Sequence, residues 1–315
     1  MKVKELYVER SRDFKLKIVA GKRGLDQGEI TTVDIYRPGL VVAGFTEYFL
    51  SERVQIVGKT EISYIKTLSR KEKDDAINRL LKPKPPCFII CKKLSMPRRF
   101  YQEANRLRIP VFSTSVSTTP FIHMLTRYLE EKLAPTRVIQ GTLLDIYGVG
   151  VLLLGKPGIG KSELALDLVQ RGHRLVADDL VQLKNLRDEI IGCGCEKSDK
   201  LRHHIEIRGV GIVDILKIFG VSAVRLKKNV EVIVEMALWE EARGDYERIG
   251  VDEKYYEILG IKLPYLRIPL VPGKNVSVII EVIAKNYLLK LRGIYSAREY
   301  DQELKRVTMR RRKRR

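Results

Sequence analysis

The chain has 315 residues, enough for two domains, and 44% of them are hydrophobic, enough for ordinary cores. Lysine and arginine total 59 against 39 aspartates and glutamates, a formal charge of +20 that favours an acidic or phosphate-bearing partner. No apolar run approaches the ~18 residues a membrane span requires, and the charged first ten residues lack a signal-peptide core, so a soluble cytoplasmic protein without a membrane partner is expected.

In chain order, residues 1–133 carry no catalytic motif. Residues 30–36 and 54–57 read as strands, with a turn at Arg37-Pro38-Gly39 between them. A helix over 71–81 stops before Pro83, strands follow at 87–91 and 109–112, and Phe121, Leu125 and Leu129 mark a helix over 121–133. Strands alternating with helices predict a small α/β domain with a parallel sheet. Pro135 ends it, giving predicted domains at 1–133 and 134–308. The arginine-rich residues 309–315 are expected to be a disordered basic tail, touching nucleic acid only without specificity. The four cysteines, Cys87, Cys91, Cys193 and Cys195, lack paired zinc-ligand spacing and read as free thiols.

In the second domain a strand over 142–147, a Gly148-Val149-Gly150 turn and a buried strand over 151–154 lead into Gly155-Lys156-Pro157-Gly158-Ile159-Gly160-Lys161-Ser162. This is G-x-x-x-x-G-K-[ST] between a strand and a helix, the phosphate-loop pattern. Its glycines let backbone N–H groups close around phosphate oxygens, and the helix N-terminus adds partial positive charge. Lys161 is the candidate for the β- and γ-phosphates, and the Ser162 hydroxyl for Mg²⁺. The following helix runs to about Arg171, and a short strand over 175–177 ends at Asp178-Asp179. One carboxylate there can organise Mg²⁺ and the other can accept a proton from an attacking hydroxyl.

Glu206, in Glu206-Ile207-Arg208-Gly209-Val210-Gly211, is a candidate second metal-directed carboxylate, although spacing alone favours a turn feeding a helix capped by Asp214. Adjacent His203 and His204 cannot both face one metal on a strand. A strand is predicted over 230–238, then a polar loop over 239–250 with Arg243, Tyr246 and Arg248, where an arginine can neutralise a transferring phosphoryl group. Residues 268–275 read as a Pro/Gly loop, 276–282 as a strand and 284–291 as a helix.

These stretches together resemble the bacterial HPr kinase/phosphorylase family over nearly the whole chain. The resemblance rests on Arg37-Pro38-Gly39-Leu40 and Gly58-Lys59-Thr60-Glu61, the phosphate loop, Gln170-Arg171-Gly172-His173-Arg174 with Ala177-Asp178-Asp179, and the segment from Glu206 to Asp214. It continues through Tyr246-Glu247-Arg248-Ile249-Gly250 and Val271-Pro272-Gly273-Lys274-Asn275. It implies an α/β chain of two domains, the second a P-loop kinase domain similar to phosphoenolpyruvate carboxykinase. It implies Mg-ATP-dependent phosphorylation of a regulatory serine on the phosphocarrier HPr, phosphate-dependent removal of that phosphate, a role in carbon catabolite repression, and a homo-oligomer, typically a hexamer. By position, 155–162 would bind ATP, Lys161 contact phosphate, and Ser162 and Glu206 hold Mg²⁺. Asp179 would exchange the serine proton beside Asp178, Arg248 would assist transfer, and 269–274 would serve the reverse step. Three departures stand out. Gln140 replaces an active-site histidine, Val271 and Lys274 replace arginines, and Lys156-Pro157 replaces an acidic residue and a serine. Gln140 cannot gain a proton near neutrality, and neither valine nor lysine supplies a bidentate guanidinium. Kinase activity without efficient phosphorylase activity is therefore expected. The alternative is a nucleotide-binding regulator without transfer, holding nucleic acid or an acidic partner through its basic surface.

Overall fold

The computed structural model describes residues 1–195, 202–240, 253–271 and 273–312, with side chains as far as residue 306. The chain divides into two compact units, Met1–Ala134 and Pro135–Arg315.

The first unit comprises α1 (Val3–Arg10), β1 (Lys17–Ala20), β2 (Ile35–Tyr36), α2 (Gly39–Ala43), β3 (Val54–Val57), α3 (Lys59–Thr67), α4 (Arg70–Leu81), β4 (Phe88–Ile90), α5 (Arg98–Arg106), β5 (Val111–Ser113) and α6 (Thr118–Leu133). Its sheet runs β1-β5-β4-β3-β2, parallel throughout except for β1. The central strands β3 and β4 are buried along their whole length because both faces are covered, and the single polar residue among them, Gln55, donates its amide to the Leu50 and Arg53 carbonyls. Ile56 and Ile89 pack with Phe121, Leu125 and Leu129 of α6, while Val57, Phe88 and Ile90 pack with Ile77 and Leu80 of α4. α4 begins with a reciprocal cap, in which Ser69 accepts from the Glu72 N–H and donates its own N–H to the Glu72 carboxylate at 2.7 Å. The strand expected over 30–36 contracts to Ile35–Tyr36, where β3 supplies a partner. The β-branched Thr31, Thr32 and Val33 have the propensity but no neighbouring strand in register.

The second unit comprises β6 (Thr136–Gln140), β7 (Thr142–Ile146), β8 (Val149–Leu154), α7 (Lys161–Gln170), β9 (Arg174–Ala177), β10 (Leu180–Leu186), β11 (Glu189–Gly194), β12 (His204–Ile207), β13 (Gly211–Asp214), α8 (Ile215–Phe219), β14 (Lys227–Asn229), β15 (Val232–Leu238), β16 (Lys254–Ile258), β17 (Ile261–Leu270), α9 (Val276–Leu291) and α10 (Ser296–Arg312). A six-stranded mixed sheet, β16-β17-β15-β8-β7-β9, lies between helices and a second, four-stranded sheet, β14-β11-β10-β6. Strand alternation sorts the side chains. Leu144, Val151 and Leu153 face Leu164, Leu168 and Ile280 of α7 and α9, whereas Leu143 and Leu152 face Val181, Leu183 and Ile190 of the second sheet.

Several expectations are corrected here. β8 begins at Val149, and the turn is Tyr147-Gly148, both at positive φ, joining β7 and β8 as a hairpin. Residues 268–270 are not loop but the end of β17, with Pro269 opposite Ala237 of β15. Residues 276–282 are not a strand but the first half of α9. The valines and isoleucines there suggested β structure, yet the Asn275 side chain accepts from the Val278 N–H at 3.2 Å and buries Ser277, Ile280 and Ala284 on one helical face. Tertiary burial overrides propensity. α10 continues to Arg312, into the segment expected to be disordered. The Asp301–Lys305 pair at 2.6 Å and the Glu303–Arg306 pair at 3.4 Å brace the turns before it. No helix among the described residues is long and apolar enough to cross a membrane.

Candidate active site

β8 and β9 point the same way in the six-stranded sheet, since each is antiparallel to β7 between them. Their C-terminal ends and the N-terminal end of β7 therefore share one edge, where α/β sheets collect ligands.

From β8 the chain enters the glycine loop. Gly155 sits at φ +146°, and a Cβ there would stand 2.8 Å from the Met236 carbonyl oxygen, so the loop passes β15 only as glycine. Gly158, at φ +76°, lies under the Arg208 guanidinium, whose Nη2 would be 2.5 Å from an added Cβ. Lys161 is only 8% exposed. Its Nζ donates to the carbonyl oxygens of Gly155 and Lys156 at 2.9 and 3.1 Å, which holds the loop closed over the start of α7.

From β9 the chain enters the two aspartates. Asp179 adopts φ +64°, a left-handed conformation that aspartate tolerates, and this reverses the chain into β10 within one residue. Asp178 accepts the Ser162 hydroxyl at 2.7 Å on one carboxylate oxygen and the Thr142 hydroxyl at 2.6 Å on the other. Asp179 accepts the Gln140 side-chain amide at 3.4 Å, and its carbonyl accepts the Gly141 N–H at 3.0 Å.

These groups line a cleft of roughly 600 Å³. Gln140, Pro157, Gly158, Gly160, Lys161, Ser162, Asp178, Asp179 and Glu206 all border it. Gly155, Lys156 and Ile159 build the loop without lining the cleft, and Ile159 packs on the core beneath. Val271 and Lys274 do not border it, and Arg243, Tyr246 and Arg248 lie outside the described residues. Glu206 reaches the cleft from the β12–β13 hairpin, where it pairs with Ile212. Asp214 also caps α8, accepting from the Lys217 N–H at 3.1 Å, so the segment is both the capped turn and the cleft wall. The Lys217 hydrogen bonds hold the Asp214 carboxyl below its ordinary range.

Thr142 and Arg208 are additions that spacing did not single out. Arg208 follows Glu206 by two residues, a spacing that can place both on one side of an extended chain. Thr142 meets Asp178 only through the pairing of β7 with β9, which no local pattern encodes.

The cleft holds four carboxylates, Glu163, Asp178, Asp179 and Glu206, against two permanent cations, Lys161 and Arg208. That excess suits a divalent cation carried in with phosphate oxygens. No group of three or more His, Cys, Asp or Glu side chains able to hold a metal by itself occurs among the described residues. Mg²⁺ is commonly held in this way, by one or two protein groups plus substrate phosphates.

Comparison with known proteins gives matches along the chain. The family model described as HPr Serine kinase N terminus matches residues 1–129, and that described as HPr Serine kinase C-terminal domain matches 131–304. An HPr kinase/phosphorylase of Brevibacillus brevis is 43% identical over 291 residues, 92% of each chain. One of Geobacter sulfurreducens is 42% identical over 303 residues, 96% of this chain and 93% of its own. A solved Hpr(Ser) kinase/phosphatase from Coxiella burnetii, at 33% identity and a TM-score of 0.46, aligns with 53% of this chain and 96% of its own.

Proposed function

The chain belongs to the HPr serine kinase family, a family of phosphotransferases, and from that premise we propose that it phosphorylates a regulatory serine on HPr using Mg-ATP. The observation that carries this reading is Asp178 accepting the Ser162 hydroxyl beside the Lys161 loop, with Asp179 next in the chain.

The loop from Gly155 to Ser162 and the Lys161 ammonium hold the triphosphate, the lysine exchanging loop carbonyls for phosphate oxygens. Ser162, Asp178 and Glu206 are the side chains that would hold Mg²⁺, which when bound neutralises charge on the β- and γ-oxygens. Asp179 takes the proton as the acceptor serine oxygen bonds to the γ-phosphorus and ADP leaves. Gln140 steadies Asp179 through its amide. Arg208, over Gly158, adds positive charge where the γ-phosphate would lie. Arg248 is assigned to the same task from the family resemblance.

The reverse step, removal of the seryl phosphate by inorganic phosphate, is weak in this chain. Gln140 offers an amide where a protonatable imidazole is usual, and Val271 and Lys274 supply no guanidinium. The family resemblance supports a cytoplasmic homo-oligomer, a hexamer, serving carbon catabolite repression.

The test is transfer of labelled γ-phosphate from Mg-ATP to purified HPr, with Asp179→Asn as control. Serine labelling by wild type and a loss of at least about a hundredfold in the variant are expected. Absence of transfer by a folded, ATP-binding wild type would sink the proposal.

A further inference from the structure

The cleft wall formed by β12 and β13 carries more than the two charged groups already assigned. Strand alternation splits this hairpin into two faces. Ile205, Ile207 and Val213 pack into the core with Leu164 and Leu168 of α7. His204 and Glu206 lie on the other face, where the register places Asp214 opposite His204 and Ile212 opposite Glu206. His204, Glu206 and Ile212 all border the phosphate-loop cleft, and Arg208, directly after β12, lies over Gly158.

From the loop outward the order is Arg208, Glu206, His204: a guanidinium over the loop, the carboxylate assigned to Mg²⁺, then an imidazole. Same-face residues on a strand lie about 6.6 Å apart, so His204 stands beyond the metal position with room for a ribose between. The hairpin also packs beside the first turn of α7, whose Ser162 and Glu163 border the cleft. In a phosphate loop the backbone N–H groups there cradle the α- and β-phosphates, so the nucleoside leaves the loop on the hairpin's side. Gln140, Asp179 and Leu180 border the cleft from β6 and the turn into β10, the side left to the acceptor.

The His204 ring is held by its edge. Its Nδ1 donates to the Arg202 carbonyl at 3.0 Å, and its Nε2 lies 3.6 Å from the Asp214 carboxylate. Ile212, 76% exposed, is its diagonal neighbour across the hairpin, close enough for both side chains to touch one bound ring. A flat imidazole beside a branched apolar side chain, on a wall otherwise lined with charge, suits an uncharged aromatic ring better than another phosphate. We propose that His204 and Ile212 form the platform for the purine ring of the nucleotide donor, and so favour it over donors that carry phosphates alone. This inference rests on the Mg-ATP reading above.

The test is calorimetric titration of the full-length protein with two probes, a non-hydrolysable Mg-ATP analogue and Mg-tripolyphosphate, which has three phosphates but no base. His204→Ala is expected to weaken binding of the analogue at least about fivefold, the loss of one base–ring stack, and to leave tripolyphosphate binding as it was. Ile212→Ala is expected to act in the same direction, and His204→Phe, which keeps a flat ring, to retain the affinity for the analogue. A folded His204→Ala that binds the analogue as wild type does, or loses both probes in equal proportion, overturns the platform. So does an effect of the variants confined to the KM for HPr, which would give this wall to the acceptor. Wild type that binds neither probe overturns the phosphate-loop reading itself, and the platform with it.

Discussion

Thr142→Val removes one hydroxyl and changes little else. Thr142 is fully buried, its hydroxyl donates to Asp178 at 2.6 Å, and Asp178 also receives the Ser162 hydroxyl. A hydrogen bond to a charged group contributes about 1.5–3 kcal/mol, and the extra methyl of valine restores somewhat under 1 kcal/mol through burial. The net loss is about 1–2 kcal/mol, which for a domain of this size lowers Tm by about 2–8 °C. The functional consequence is larger than the stability loss. Thr142 orients the carboxylate assigned to Mg²⁺, and removing such a supporting partner commonly costs about 10–100-fold in metal affinity or activity. Titrating Mg²⁺ into the kinase assay at fixed ATP is expected to show an apparent affinity weakened by that factor. Thr142→Ser, which keeps the hydroxyl, is expected to restore most of it. If Thr142→Val melts lower yet saturates with Mg²⁺ as wild type does, the residue only supports the fold. If neither quantity moves, the reasoning about Asp178 is wrong.

Gln140→His is expected to raise phosphate-dependent dephosphorylation of seryl-phosphorylated HPr while leaving forward transfer within a few fold. An unchanged reverse rate would remove Gln140 as the cause of the deficit. The Ser277 hydroxyl, with Arg171 assisting, holds the Asp167 carboxyl below its ordinary value of 3.8. Its contribution is complete above that value and disappears as pH falls through the lower folded value, so Asp167→Asn should destabilise the protein at neutral pH and match wild type in strong acid, as read by urea unfolding across pH. Thiol labelling at pH 8 should modify the half-buried Cys193 and Cys195 quickly. Burial pushes Cys91 up to about 11 and Cys87 higher still, so both should react only after unfolding, as peptide mapping would show.

Much of the site is legible in the sequence because its parts are local. The glycine loop, the helix it opens and the Asp178-Asp179 pair each occupy a few consecutive residues whose spacing states their geometry. Asn275 and the following valines show the opposite case. The β-branched run after Asn275 favours a strand locally, and only packing against α7 decides for helix. The β12–β13 hairpin shows why Glu206 stayed ambiguous. Its strand pairs with one neighbour and leaves Val210 and Ile212 exposed, so hydrophobic pattern says little about which face meets the cleft.

The sequence by itself determined which residue types could bind phosphate, that a strand and a helix flank the glycine loop, and that the chain forms two α/β units. Those properties follow from φ preferences, side-chain period and charge, which act over a few residues. Only the tertiary structure decided that Thr142 meets Asp178 and that Arg208 lies over Gly158. Those meetings depend on strand order and register between segments far apart in the chain, and these are set by the burial of whole faces rather than by any local pattern.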